Sequence, residues 1–142
     1  FDNFDQKAVK VLNEILEKTG AEIVVSSDWK RWATVEEMGQ YYESQGIIKK
    51  PIAFTDFILY DDYNNFPWHR NWELEQTRSL EIAQYLGLNT VITHWVAIDD
   101  LNMSLKTECD KEWGLKHFVL TPIDSEGIKQ TGIKDKILNF LK

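Results

Sequence analysis

The chain has 142 residues, 43% apolar and 27% charged, which suits one soluble globular domain with a buried core. Its formal charge of −7 argues against holding nucleic acid on a broad basic face, while leaving room for a local cationic pocket. No apolar run reaches membrane-spanning length, and the single cysteine, Cys109, excludes an intramolecular disulfide, which points to a reducing, cytoplasmic setting.

The chain opens at Phe1, directly before a helical pattern over residues 5–19, where Ala8, Val9, Leu12, Ile15 and Leu16 recur at helical spacing. Asp5 or Asn3 suits the N-cap, and Gly20 follows the last turn. Residues 21–25 read as a short apolar strand that stops at Ser26, Ser27 and Asp28. A second helix is predicted over residues 34–45, with Thr34 and Glu37 as a capping box and Gly46 at its exit. Residues 52–54, after Pro51, form the next strand candidate. Residues 60–72 mix Asp, Asn and Pro with Tyr63, Phe66, Trp68 and Trp72, and read as a surface loop or small insertion. A helix is predicted over residues 73–86 on Leu80, Ile82, Ala83 and Leu86, with Gly87 as its stop. Residues 90–98 read as a strong strand ended by Asp99 and Asp100, residues 117–120 as a further strand, and residues 133–141 as a closing helix.

Short apolar strands alternating with helices indicate an α/β fold whose mainly parallel sheet is covered on both faces. Right-handed crossovers then bring every strand's C-terminal end to one edge, and ligands bind outside that edge. Ser26 and Asp99 each stand where a strand stops, so both are expected at one crevice. Phosphoryl transfer needs donors for phosphate oxygens, a cation, and carboxylates that hold magnesium. Ser26 and Ser27 offer hydroxyls and backbone N–H groups, Arg78 offers the cation, and Asp99 and Asp100 offer adjacent hard oxygen ligands. Each has a plainer reading: a serine turn or cap, a solvated acidic turn, an ion-paired helix arginine. Lys30 and Arg31 compete with Arg78 for the cationic role. His69, His94 and His117 lack metal-ligand spacing, and Cys109 has no histidine at a spacing that suggests a thiol nucleophile.

Three runs resemble one family. The run from Thr19 to Lys30 (TGAEIVVSSDWK) looks like the second motif of haloacid dehalogenase (HAD)-like domains of the RNA-repair "Swiss army knife" group, where a strand ends in Ser-Ser followed by Trp and a basic residue. The run from Arg78 to Ile82 (RSLEI) resembles that group's Arg-x-x-Glu-Ile helix start, and the run from Thr93 to Asn102 (THWVAIDDLN) its fourth motif. The resemblance implies a Rossmann-like three-layer fold over residues 1–142, with residues 57–77 a loop or small cap. It also implies a Mg2+-dependent phosphohydrolase in which an aspartate attacks phosphorus and a second aspartate two residues later handles the leaving-group proton. Ser26 would bind the phosphoryl group, with Ser27 as the alternative register. Lys30 would assist binding, Arg78 would stabilise charge, and Asp99 and Asp100 would complete the metal site. The substrate would be a phosphorylated small molecule or a nucleic-acid end.

The sequence departs from that pattern at the first motif: no strand ending in Asp-x-Asp precedes the first helix, and Asp2 and Asp5 are three apart with no apolar strand before them. A further segment upstream carrying the central strand and both aspartates is therefore expected. Two other readings stay open. One is a non-catalytic binding or assembly module that keeps the fold without the nucleophile. The other is a metal-dependent nuclease built on Asp99 and Asp100, which needs further acidic ligands near Ser26, such as Asp28.

Overall fold

The computed structural model describes residues 3–57, 74–103, 114–121 and 125–142, with backbone alone at Asp28 and residues 74–76. Most of the candidate insertion over residues 57–77, together with His69 and Cys109, lies outside the described residues.

Helix α1 (Gln6–Thr19) begins where Asp5 accepts hydrogen bonds from the backbone N–H groups of Lys7 and Ala8, and ends at Gly20 with φ +69°. That left-handed backbone lets the Gly20 N–H return to the Leu16 carbonyl, at 2.9 Å. Lys49 pins the turn that follows, its ammonium donating to the carbonyls of Gly20 and Ala21 at 2.9 Å each. Strand β1 (Val24–Val25) leads through Ser26 and Ser27 into a 3-10 helix (Asp28–Arg31). Helix α2 (Val35–Ser44) carries the predicted capping box, with the Thr34 hydroxyl accepting from the Glu37 N–H and the Glu37 carboxylate accepting from the Thr34 N–H. Strand β2 (Ala53–Phe54) pairs parallel with β1, Val25 opposite Phe54. Helix α3 (Leu74–Leu88), strand β3 (Ala97–Asp99), strand β4 (Phe118–Leu120), a 3-10 turn (Gly127–Lys129) and helix α4 (Ile133–Phe140) complete the described chain. β3 and β4 are also parallel, Asp99 opposite Leu120.

The strands thus form two short parallel sheets, β1–β2 and β3–β4. α1 supplies side chains to the core on both sides of the chain. Val9 and Leu16 pack with Ile47, while Ile15 packs with Val119, Ile133 and Ile137. Phe4 stacks on Trp29 at 5.6 Å and meets Tyr41 and Tyr42 edge-on, which fastens the 3-10 helix after β1 to the start of α1 and to α2. No helix among the described residues is long and apolar enough to cross a membrane.

Two elements differ from the sequence reading. The long strand expected over residues 90–98 is a strand only from Ala97; a turn closes at Asn89, whose carbonyl accepts from the Ile92 N–H at 3.1 Å. Upstream of Ala97 the Trp95 carbonyl bonds the His117 ring at 3.1 Å, and among the described residues the β3–β4 ladder begins only at the Ala97–Phe118 pair. Helix α3 also runs past Gly87 to Leu88. Asn89 closes it instead, its side-chain amide donating to the Tyr85 carbonyl at 2.8 Å.

Ile137 is 1% exposed at the centre of its cluster. Ile137→Ala is expected to cost about 3 kcal/mol, read from urea unfolding. Asp5 also accepts from the Lys129 ammonium, and that bond, with the Lys7 N–H, holds its carboxyl below the ordinary value of 3.8. A depressed carboxyl stabilises the fold above its unfolded-state pKa and stops doing so as pH falls through the folded one. The gap in melting temperature between wild type and Asp5→Ala should therefore be full above about pH 4 and close on further acidification.

Candidate functional site at the strand ends

A mainly apolar cleft of about 630 Å³ lies between the two sheets. Val24 and Val25 of β1 line it, as do Ala97 and Ile98 of β3, with Leu12, Ile15 and Leu16 of α1 and Ile82, Tyr85 and Leu86 of α3. Ser26, Ser27 and Asp99 line the same cleft, so the strand ends that the sequence places at one crevice do share it.

The two serines are not equivalent. Ser27 caps the 3-10 helix, its hydroxyl accepting from the Trp29 N–H at 3.3 Å. The Ser26 hydroxyl oxygen is buried and has no hydrogen-bond partner among the described residues. A buried hydroxyl left without a partner is costly, and it is a ready donor for an oxyanion that enters the cleft.

Beside the serines the described site is built from charges on opposing elements. Arg78, near the start of α3, is 8% exposed and donates from Nη1 to Asp99 Oδ2 at 2.7 Å. The Leu101 N–H donates to the other oxygen, Oδ1, at 3.0 Å, so both oxygens of Asp99 are oriented. Burial, then a hydrogen bond with Asp100, push Asp99 up from the usual carboxylate range against the pull of Leu101 and Arg78. Asp100 itself is exposed. Two adjacent carboxylates at a strand end fit a magnesium ion, which takes one or two protein carboxylates and completes its shell with water and phosphate oxygens. Among the described residues no three His, Cys, Asp or Glu side chains gather around one point.

Lys30 is placed differently from a surface lysine. Its side chain is 1% exposed, and its ammonium donates to Thr55 Oγ1 at 2.8 Å and to Glu81 Oε1 at 3.2 Å. Both Lys30 Nζ, at 4.4 Å, and the Arg31 guanidinium, at 4.3 Å, lie over the Phe57 ring. Thr55 and Glu81 have no assigned role in the sequence reading, although Glu81 sits inside the RSLEI run. The available signal is its spacing, three residues after Arg78 and hence on the same helix face. That face departs from the apolar one expected: Arg78, Ser79 and Glu81 are buried, whereas Ala83 is exposed.

Of the two described histidines, His94 lines the same cleft. His94 is exposed and bonds Thr93 at 3.0 Å; His117 is stacked between Trp95 and Phe140, at 4.7 and 5.1 Å. The Asp28 side chain lies outside the described residues.

Because the Asp100 contact raises Asp99, Asp100→Ala should make Asp99 titrate at lower pH than in the wild type. Arg78→Met should move it the other way. Carboxyl carbon-13 NMR titration reads both, and an unmoved or higher Asp99 in Asp100→Ala would contradict the assigned cause.

A family model for the HAD domain in Swiss Army Knife RNA repair proteins matches residues 1–131. No curated protein and no solved structure gives a match. The match spans nearly the whole chain, and the chain belongs to that HAD-domain family.

Proposed function

We propose that this HAD-family chain forms the larger part of a magnesium-dependent phosphohydrolase of the Rossmann-like, three-layer type, acting on a phosphomonoester at the cleft between β1 and β3. The observation that carries the reading is that the unpartnered Ser26 hydroxyl and the Arg78-bound Asp99 line one cleft between two parallel sheets. The facing strands β1 and β3 are each paired on one side among the described residues, β1 with β2 and β3 with β4. An apolar strand inserted between them would find main-chain groups on both sides and an apolar floor and roof. That strand would carry the Asp-x-Asp sequence that these 142 residues lack, and would bring both aspartates to the edge where Ser26 and Asp99 stand.

In that arrangement the first aspartate's carboxylate forms a bond to phosphorus as the bond to the leaving oxygen breaks. The second aspartate gives the leaving oxygen its proton, and water then hydrolyses the aspartyl-phosphate. Ser26 donates a hydrogen bond to a phosphoryl oxygen. Ser27 holds the 3-10 turn that aims the following backbone at the site. Lys30 and Arg78 supply positive charge beside the phosphoryl group, and Arg78 also orients Asp99. Asp99 and Asp100 would hold the magnesium ion, which supplies charge neutralisation at the phosphate oxygens. The substrate class is a phosphorylated small molecule or a nucleic-acid end, with residues 57–77 as a loop or small cap over it. A reducing cytoplasmic setting suits the lone Cys109.

One feature of the sequence favours a second reading. With no Asp-x-Asp strand in these residues, the same pocket would serve as a phosphate-binding module without turnover. The nuclease reading, built on Asp99 and Asp100, needs a further acidic ligand near Ser26, and its candidate, the Asp28 side chain, lies outside the described residues.

The test is release of inorganic phosphate from p-nitrophenyl phosphate by the intact native protein, with and without magnesium. Turnover is expected to need magnesium and to fall by at least about 100-fold in the double variant Asp99→Asn/Asp100→Asn. Turnover that survives the double change would remove both aspartates from the mechanism. Phosphate binding without turnover in the wild type would select the binding module.

A further inference from the structure

A buried ion pair calls for an explanation other than stability. Removing an ammonium and a carboxylate from water costs several kcal/mol each, and packed apolar side chains often serve a fold equally well. Lys30 and Glu81 nevertheless meet with side chains 1% and 7% exposed. Their position supplies the explanation. Thr55 follows directly on β2, and its N–H bonds the Val25 carbonyl at 3.1 Å, one step beyond the Val25–Phe54 pair. Thr55 is therefore the lateral neighbour of Ser26, about one strand spacing of ~4.8 Å away. Its hydroxyl fixes the Lys30 ammonium at 2.8 Å. The charge of Lys30 is thus held at the C-terminal edge of β1 and β2, although its own backbone lies in the 3-10 helix beyond.

We propose that Glu81 is a positioning residue: with Thr55 it holds the Lys30 ammonium charged and in place beside the Ser26 anion pocket. This rests on the reading that the pocket binds a phosphoryl group, and it adds Glu81 and Thr55 to that site. Glu81 reaches Lys30 from α3, one helical turn beyond Arg78, so one helix face sets both cations of the site. A buried ammonium without a counter-charge tends to shed its proton. A lysine left free also spreads its charge over many rotamers. Glu81 prevents both, and the resulting point charge acts on an anion at Ser26 through a medium of low dielectric.

The experiment is calorimetric titration of the intact protein with inorganic phosphate, alongside melting temperatures, for wild type, Glu81→Gln, Thr55→Val and the apolar pair Lys30→Met/Glu81→Leu. Supporting groups behind a liganding residue are worth on the order of 10- to 100-fold when removed. Glu81→Gln is therefore expected to bind phosphate at least about 10-fold more weakly, and Thr55→Val to lie between it and wild type. The apolar pair separates fold from site. It should melt near the wild-type temperature and still bind phosphate as weakly as Glu81→Gln. Wild-type phosphate affinity in the folded apolar pair would make the ion pair merely structural and overturn the proposal. A wild type that binds no inorganic phosphate would overturn the reading of the pocket itself, and the role of Glu81 with it.

Discussion

The strand ends depend on one helix face that is both polar and buried. Arg78 and Glu81 lie three residues apart on α3 and reach different sheets. Arg78 meets Asp99 at the end of β3, and Glu81 meets Lys30, which Thr55 holds against the end of β2. Four charges, two of each sign, are largely withdrawn from water, and each meets a partner of opposite sign. Among the described residues β1 pairs with β2 and β3 with β4, and no ladder joins the two pairs. The two half-sheets are instead held in relation by these side-chain bridges and by the apolar residues of α1, which pack towards both core clusters. Such bridges are directional. They fix where the carboxylate of Asp99 and the ammonium of Lys30 stand, which apolar packing alone leaves looser.

The cleft follows from the same division. Its walls are mainly apolar along the strands and helices; Ser26, Ser27, Thr55 and Asp99 line it at the C-terminal edge, while Glu22, Thr93 and His94, upstream of β1 and β3, line it as well. Dry walls with convergent donors and charges at one end suit a small anion, because each electrostatic contact strengthens as water is excluded. Ser26 contributes differently from Ser27 for a local reason. The second serine is committed to the 3-10 turn by its bond from Trp29, while the first lines the cleft without a partner among the described residues.

Much of this was legible in the residues themselves. The Asp5 and Thr34 caps, the Gly20 exit and the period of α1 and α2 are local signals, and local backbone chemistry honours them. Membership of the HAD-domain family was legible for the same reason: its marks are contiguous runs at strand and helix ends. The strand suggested by residues 90–98 shortens to Ala97–Asp99, because β-branched composition expresses a fit to a neighbouring strand and the neighbour β4 begins only at Phe118. Gly87 is not the stop its position suggests: α3 runs on to Leu88, and the Asn89 side chain donates to the Tyr85 carbonyl at its end.

The sequence alone therefore determined what depends on neighbours a few residues away: helix limits, caps, the serine and aspartate pairs at strand ends, and the family they mark. It could not show that Lys30 is buried, that Glu81 and Thr55 hold it, or that Ser26 and Ser27 have different duties. Those facts join residues 25 and 51 positions apart, and no local periodicity encodes them. Tertiary structure decided them, because the cost of burying a charge is met only by a partner of opposite sign that folding brings from elsewhere in the chain.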